Sequence, residues 1–186
     1  MYYVMYIVRM YIYARNFPLP IRSFTSANMF RLLLLIACLA VPAYSNSAGA
    51  PKAICTNGLT PEHGLDGQSS AVPYRFSGDS KANNGKVSLA LGGSQGFLGF
   101  AIQARDANDK PVGTFKVVDS STSQTLSCSN PDDTLTHKKI PHDNPIKSVA
   151  FAWEPAGYKG KVKFVATVAK DGGTYWIRKV LKEVEV

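Results

Sequence analysis

Apolar and polar residues alternate with a period of two through most of the chain beyond residue 70. In residues 96–106, Leu98, Phe100, Ile102 and Ala104 make one apolar face while Gln103 and Arg105 lie on the other, the pattern of a half-buried strand. Gly96 and Gly99 would weaken such a strand unless backbone or a ring packs closely over them, which predicts a crowded site. Val87, Leu89 and Leu91 alternate with Lys86 and Ser88, and Lys159, Lys161 and Lys163 alternate with an apolar line of Val162, Phe164, Ala166 and Val168, so that this strand shows lysines to water and apolar groups to the core. Further strands are predicted at 72–76, 112–118, 124–128, 134–138, 146–153 and from 175 onward. Turn chemistry separates them, at Ser129-Asn130-Pro131-Asp132-Asp133, at Pro141-His142-Asp143-Asn144-Pro145, and at Lys170-Asp171-Gly172-Gly173, which reads as a hairpin.

Residues 48–67 contain Gly and Pro, lack periodicity and read as an irregular arm. Eight or nine short strands with no amphipathic helix argue for an all-β chain, an immunoglobulin-like antiparallel β-sandwich of about eight or nine strands with an irregular N-terminal arm. A true immunoglobulin domain places its tryptophan between its two cysteines, whereas Trp153 follows both Cys55 and Cys128. Trp153, Trp176, Phe97 and Phe100 stand at strand spacing and are predicted to fill the layer between the sheets.

The first quarter has a different composition. Residues 29–45 place Arg31 before an apolar run from Leu32 to Val41 and end on Ala43-x-Ser45, which reads as a secretory signal peptide. The apolar run is shorter than the ~20 residues of a membrane span, so the expected product is secreted and extracellular, without a span. Residues 1–28, with Arg9, Arg15, Arg22 and no acidic residue, read as a gene-model extension upstream of Met29 or as a long leader, and carry no part of the fold. Cleavage after Ser45 would leave 46–186 as one domain.

Charge and cysteine content narrow the picture further. Four of the 21 basic residues lie in the leader and none of the 13 acidic ones does, so the remaining chain carries +4. That favours anionic partners at long range and is also an ordinary charge for a soluble protein. Cys38 falls within the leader, leaving Cys55 and Cys128 as an even pair in an oxidising compartment.

Taken together, Cys55 with Pro61-x-His63, the run from Gly96 to Phe100 continuing to Gln103-Ala104-Arg105-Asp106, Gly113-Thr114-Phe115, Leu126-x-Cys128, Thr136-His137, Val149 to Trp153 with Pro155, Gly160-x-Val162 and Tyr175-Trp176 resemble the reelin-type (reeler) domain. The resemblance covers essentially all of 46–186. Among single-domain members it is similar to the noduler-like insect defence proteins. It implies an immunoglobulin-like sandwich, a bridge between Cys55 and Cys128, no catalytic residues and no cofactor. It also implies a secreted protein of innate immunity that binds microbial surface polysaccharide or lipopolysaccharide and promotes clustering at haemocyte surfaces; nucleic acid is not an expected partner. The alternative in the same family is an extracellular-matrix or reproductive-tract module that binds host glycans or proteins.

Candidate sites follow from residue chemistry. Lys159, Lys161 and Lys163, with Lys138 and Lys139 from a neighbouring segment, make a candidate surface for anionic polymers, with Tyr158 placed to stack on a sugar; the competing reading is a solvated outer face. His137, His142 and Asp143 lack recognised zinc spacing, so no metal site is expected there. His63 and His137 read as hydrogen-bonding structural residues near the bridge, and His142 as a loop residue. Arg105-Asp106 reads as a salt bridge or turn cap ahead of a recognition pair.

Overall fold

The structure, a computed structural model, describes residues 48–186; the leader read at 29–45 and the segment 1–28 lie outside the described residues. Nine strands are present among the described residues: β1 (Tyr74–Gly78), β2 (Val87–Phe97), β3 (Gly99–Arg105), β4 (Thr114–Val117), β5 (Ser123–Leu126), β6 (Thr134–His137), β7 (Ile146–Glu154), β8 (Lys161–Ala169) and β9 (Tyr175–Glu185). They form two antiparallel sheets, ordered β1-β2-β7-β4 and β5-β6-β3-β8-β9. The all-β sandwich expected from the period-two pattern is therefore the fold. The Lys170–Gly173 hairpin joins β8 to β9, closed by the Lys170 N–H on Thr174 O at 2.9 Å.

The core lies between the sheets because each strand turns its apolar parity inward. Leu89, Leu91, Phe151 and Trp153 from one sheet meet Ile102, Phe164, Ala166 and Val168 from the other. Phe97, Phe100, Trp153 and Trp176 all belong to this core, as expected. Burial of an indole requires a partner for its N–H, and Trp153 finds Val112 O at 3.0 Å while Trp176 finds Ser70 O at 3.2 Å.

The stretch 96–106 is two strands rather than one. Phe97 closes β2 in the four-stranded sheet and Gly99 opens β3 in the five-stranded sheet, so the chain changes sheets at Leu98, whose N–H bonds Ala169 O at 2.9 Å. The two glycines flank this crossing. A Cβ on Gly96 would stand 2.9 Å from the Pro145 ring, and one on Gly99 would stand 3.3 Å from His137 Cε1. The crowding expected at both positions is present.

Candidate functional site

Gln103 and Arg105 project from the outer face of β3, yet all seven residues of β3 are buried. The half-buried reading fails because the arm lies over this face. Ile54, at the 3-10 turn Lys52–Cys55, and Leu59 pack on Ala101 and Val165. The Ala50 N–H donates to Thr136 Oγ1 at 3.1 Å, Gln68 N–H to Tyr175 O at 2.7 Å, and the Tyr175 hydroxyl to Leu65 O. Cys55 is bonded to Cys128 across a sequence separation of 73, with Cα atoms 5.1 Å apart. The implied bridge is thus present, and it holds the arm to the sheet.

Beneath the arm runs a continuous polar chain. The buried Asp133 carboxylate accepts the N–H groups of Cys128, Ser129 and Asn130, fixing the loop that carries the bridge. Thr134 Oγ1 lies 3.1 Å from Asp133 Oδ1 and accepts from Gln103 Nε2 at 2.9 Å. Arg105 Nε donates to Gln103 Oε1 at 3.0 Å and its Nη1 to Asp109 Oδ2 at 3.1 Å, while Arg178 Nη2 reaches the other Asp109 oxygen at 2.6 Å. Burial pulls the Arg105 pKa below its ordinary value, and the Asp109 charge opposes that shift. For Asp109, burial is outweighed by the Arg178 hydrogen bond and the Arg105 charge, and its pKa falls. Asp106 is not the partner of Arg105. It caps its own loop, accepting the Asn108 and Lys110 N–H groups at 2.9 and 2.8 Å. Both residues hold the structure, as the salt-bridge and cap reading expects.

The histidines separate. His137 is half-buried at the end of β6 with Nδ1 3.2 Å from the Phe100 N–H and 3.1 Å from Phe100 O, so either tautomer finds a backbone partner. Burial lowers its pKa, partly countered by the Phe100 bond. His63 is exposed and rests on the Tyr175 ring, centroids 5.7 Å apart, while at the bridge Thr134 Oγ1 lies 3.3 Å from Cys128 Sγ. His142 is on an exposed loop. Among the described residues no group of three His, Cys, Asp or Glu side chains is placed to hold a metal.

The five lysines do not form one surface. Thr136 pairs with Ala101, which sets Lys138 level with Gly99, whereas Lys163 pairs with Arg105, six residues further along β3 and about 20 Å away. Lys138 and Lys139 therefore lie at one end of the sheet and Lys159, Lys161 and Lys163 at the other. On the outer face Lys161 stands opposite Glu185 and Lys163 opposite Glu183. Directly opposed side chains begin about 5 Å apart, so Lys161 and Lys163 each have a carboxylate across the strand pair, without forming an ion pair within 4 Å. Tyr158 packs against the core and donates to Lys161 O at 3.3 Å, so its ring is committed to the fold.

The other sheet offers a feature that was not singled out from the sequence. Between Gly92 and Phe97 the pairing of β2 with β7 slips: Gly92 faces Ser148 and Phe97 faces Ile146, so β2 bows out in a bulge. Beside it lies a groove of about 480 Å³ lined by Arg75, Ser77, Gly92, Ser94, Lys147 and Ser148, among others. A sequence signal for this face exists. The outward positions Ser88, Ala90 and Gly92 on β2, and Ser148, Ala150 and Ala152 on β7, are all small, which leaves two adjoining strands with a low, uncovered surface.

Comparison with known proteins agrees with this fold. The sequence profile described as Reeler domain matches residues 54–186. The chain is 51% identical over 160 residues to the "Defense protein l(2)34Fc" of Drosophila melanogaster, covering 85% of this chain and 99% of that one. It is 30% identical over 156 residues to the "Putative defense protein Hdd11" of Hyphantria cunea, covering 80% and 93%. The crystal structure of the human F-spondin reeler domain superimposes with a TM-score of 0.52 at 17% identity, covering 65% of this chain and 94% of that one.

Proposed function

The chain belongs to the Reeler domain family, and from that premise we propose that it is a secreted, non-enzymatic binding protein of innate defence that attaches to anionic polymers of microbial surfaces. The observation that carries the reading is the 51% identity along nearly the whole of a relative named as a defence protein. The disulfide supports an extracellular setting. The exposed lysines of the strip Lys159, Lys161 and Lys163 support an anionic partner. Since Glu183 and Glu185 offset part of that charge, the attraction is modest and strongly screened by salt.

Binding of the purified protein to lipopolysaccharide, lipoteichoic acid and β-glucan, measured at low and high salt, tests this. The expected result is salt-sensitive binding to the two anionic polymers, weakened in the Lys161→Glu/Lys163→Glu variant. Equal binding by that variant at both salt levels removes the strip from the site, and no binding to any microbial polymer removes the function.

A further inference from the structure

We propose that the groove on the four-stranded sheet is a binding site for a phosphate ester carried on a sugar. The groove lies where the pairing of β2 with β7 breaks off after Gly92 and Ser148, while β1 stays paired with β2 through Tyr74 and Gly93. Arg75 pairs with Gly92 from the opposite side, so Arg75, Gly92 and Ser148 form one row across three strands on the solvent face. A side chain at Gly92 would meet Lys147 O and Ser148 Oγ at 3.2 and 3.3 Å, and one at Gly93 would overlap Pro73 O and the Tyr74 ring. The absence of side chains at these two positions keeps the floor open.

The lining chemistry selects the ligand. Arg75 and Lys147 are the two charged residues lining the groove and no carboxylate lines it. The three ion pairs found among the described residues include neither of them. A phosphate monoester carries close to two negative charges at neutral pH, matching two cations. The guanidinium fork can hold two of its oxygens, and an ammonium supplies a third donor. Ser77, Ser94 and Ser148 place hydroxyls around the same space, and hydroxyls both donate to and accept from the hydroxyls of a sugar. No aromatic and no large apolar side chain lines the groove, so a greasy ligand has little to bury against. Its volume of about 480 Å³ lies within the usual range for small-ligand sites.

This inference deepens the surface-binding reading by naming a chemical unit of the polymer, and it stands on different residues, on the sheet opposite the lysine strip. The test is titration of the isotope-labelled full chain, followed by amide NMR, with glucose 6-phosphate, inorganic phosphate and glucose in parallel. The expected result is shifts confined to Gly92, Gly93, Ser94 and Ser148, saturating with the sugar phosphate at a concentration about tenfold below that needed with either part alone. Arg75→Ala should weaken binding about tenfold, the usual cost of one charge-assisted hydrogen bond. Arg75→Lys should recover part of it, with the unfolding temperature of both variants unchanged because the residue is exposed. Vesicles bearing a phosphorylated disaccharide head group form a second arm that separates a membrane-borne from a soluble source, and saturable, Arg75-dependent binding in either arm supports the site. Shifts centred on Lys159–Lys163, inorganic phosphate binding as tightly as the sugar phosphate, or undiminished binding by Arg75→Ala overturns it. If the groove fails while lipopolysaccharide binding still depends on Lys161 and Lys163, the proposed function stands without it.

Discussion

Replacing both Cys55 and Cys128 by serine tests how the arm is held. The bridge closes a loop with a sequence separation of 73, and the chain-entropy relation for a loop of that size gives about 4 kcal/mol at 25 °C. Domains of this size are typically stable by about 5–15 kcal/mol, so most of a modest stability depends on one bond. The noncovalent contacts of the arm oppose complete release: Ile54 and Leu59 are buried against Ala101 and Val165, each contributing roughly 1.5–3 kcal/mol of burial. The Asp133 carboxylate still holds the N–H groups of residues 128–130 in the variant. The expected outcome in urea is a loss of about 4 kcal/mol with a steeper slope, because the unfolded chain without its cross-link is more expanded, and a fall of roughly 15 °C in thermal unfolding. Trypsin should cut faster after the exposed Lys52, since the arm then opens without global unfolding. A loss below about 1 kcal/mol, or cleavage no faster than in the parent, would refute the entropic reasoning and give the arm to its noncovalent contacts.

Three further outcomes follow from the same contacts. Gly113→Ala should destabilise by about 2–4 kcal/mol in urea, because Gly113 has φ +72° and an added Cβ would overlap the Trp153 ring. Arg105→Ala should cost about 2–4 kcal/mol by leaving Gln103 Oε1 and the arm-covered chain without a donor, whereas Asp109→Asn should cost under ~1 kcal/mol because that carboxylate is half exposed, a contrast read from the two urea midpoints. Because burial holds the His137 pKa below its ordinary value, the unfolded chain takes up the proton first; stability is full above about pH 6.5 and declines as the pH falls toward the folded value. Thermal midpoints between pH 7.5 and 5 should therefore slope downward in the parent and flatten in His137→Gln, a window above the range in which the depressed aspartates Asp109, Asp119 and Asp171 titrate.

Period-two patterning was sufficient for the strands, their inward faces and the hairpin at Lys170–Gly173, because alternation is a local property of a pleated chain and needs no knowledge of partners. The core aromatics Trp153 and Trp176 and the close approaches at Gly96 and Gly99 were legible for the same reason. Pairing is non-local, and there the sequence was silent or misleading. Residues 96–106 read as one strand because a change of sheet at Leu98 leaves the alternation intact. Gln103 and Arg105 read as an exposed face because nothing local says that residues 48–68 return to cover it. The lysines read as one surface because sequence patterning cannot place Lys138 about 20 Å from Lys163 or set Glu183 and Glu185 beside the strip. The groove depends on a register slip between two strands more than 50 residues apart, and register is decided only when the sheet assembles. Local alternation thus determined the elements and what each would bury, while the joining of distant strands decided which polar groups remained in contact with water.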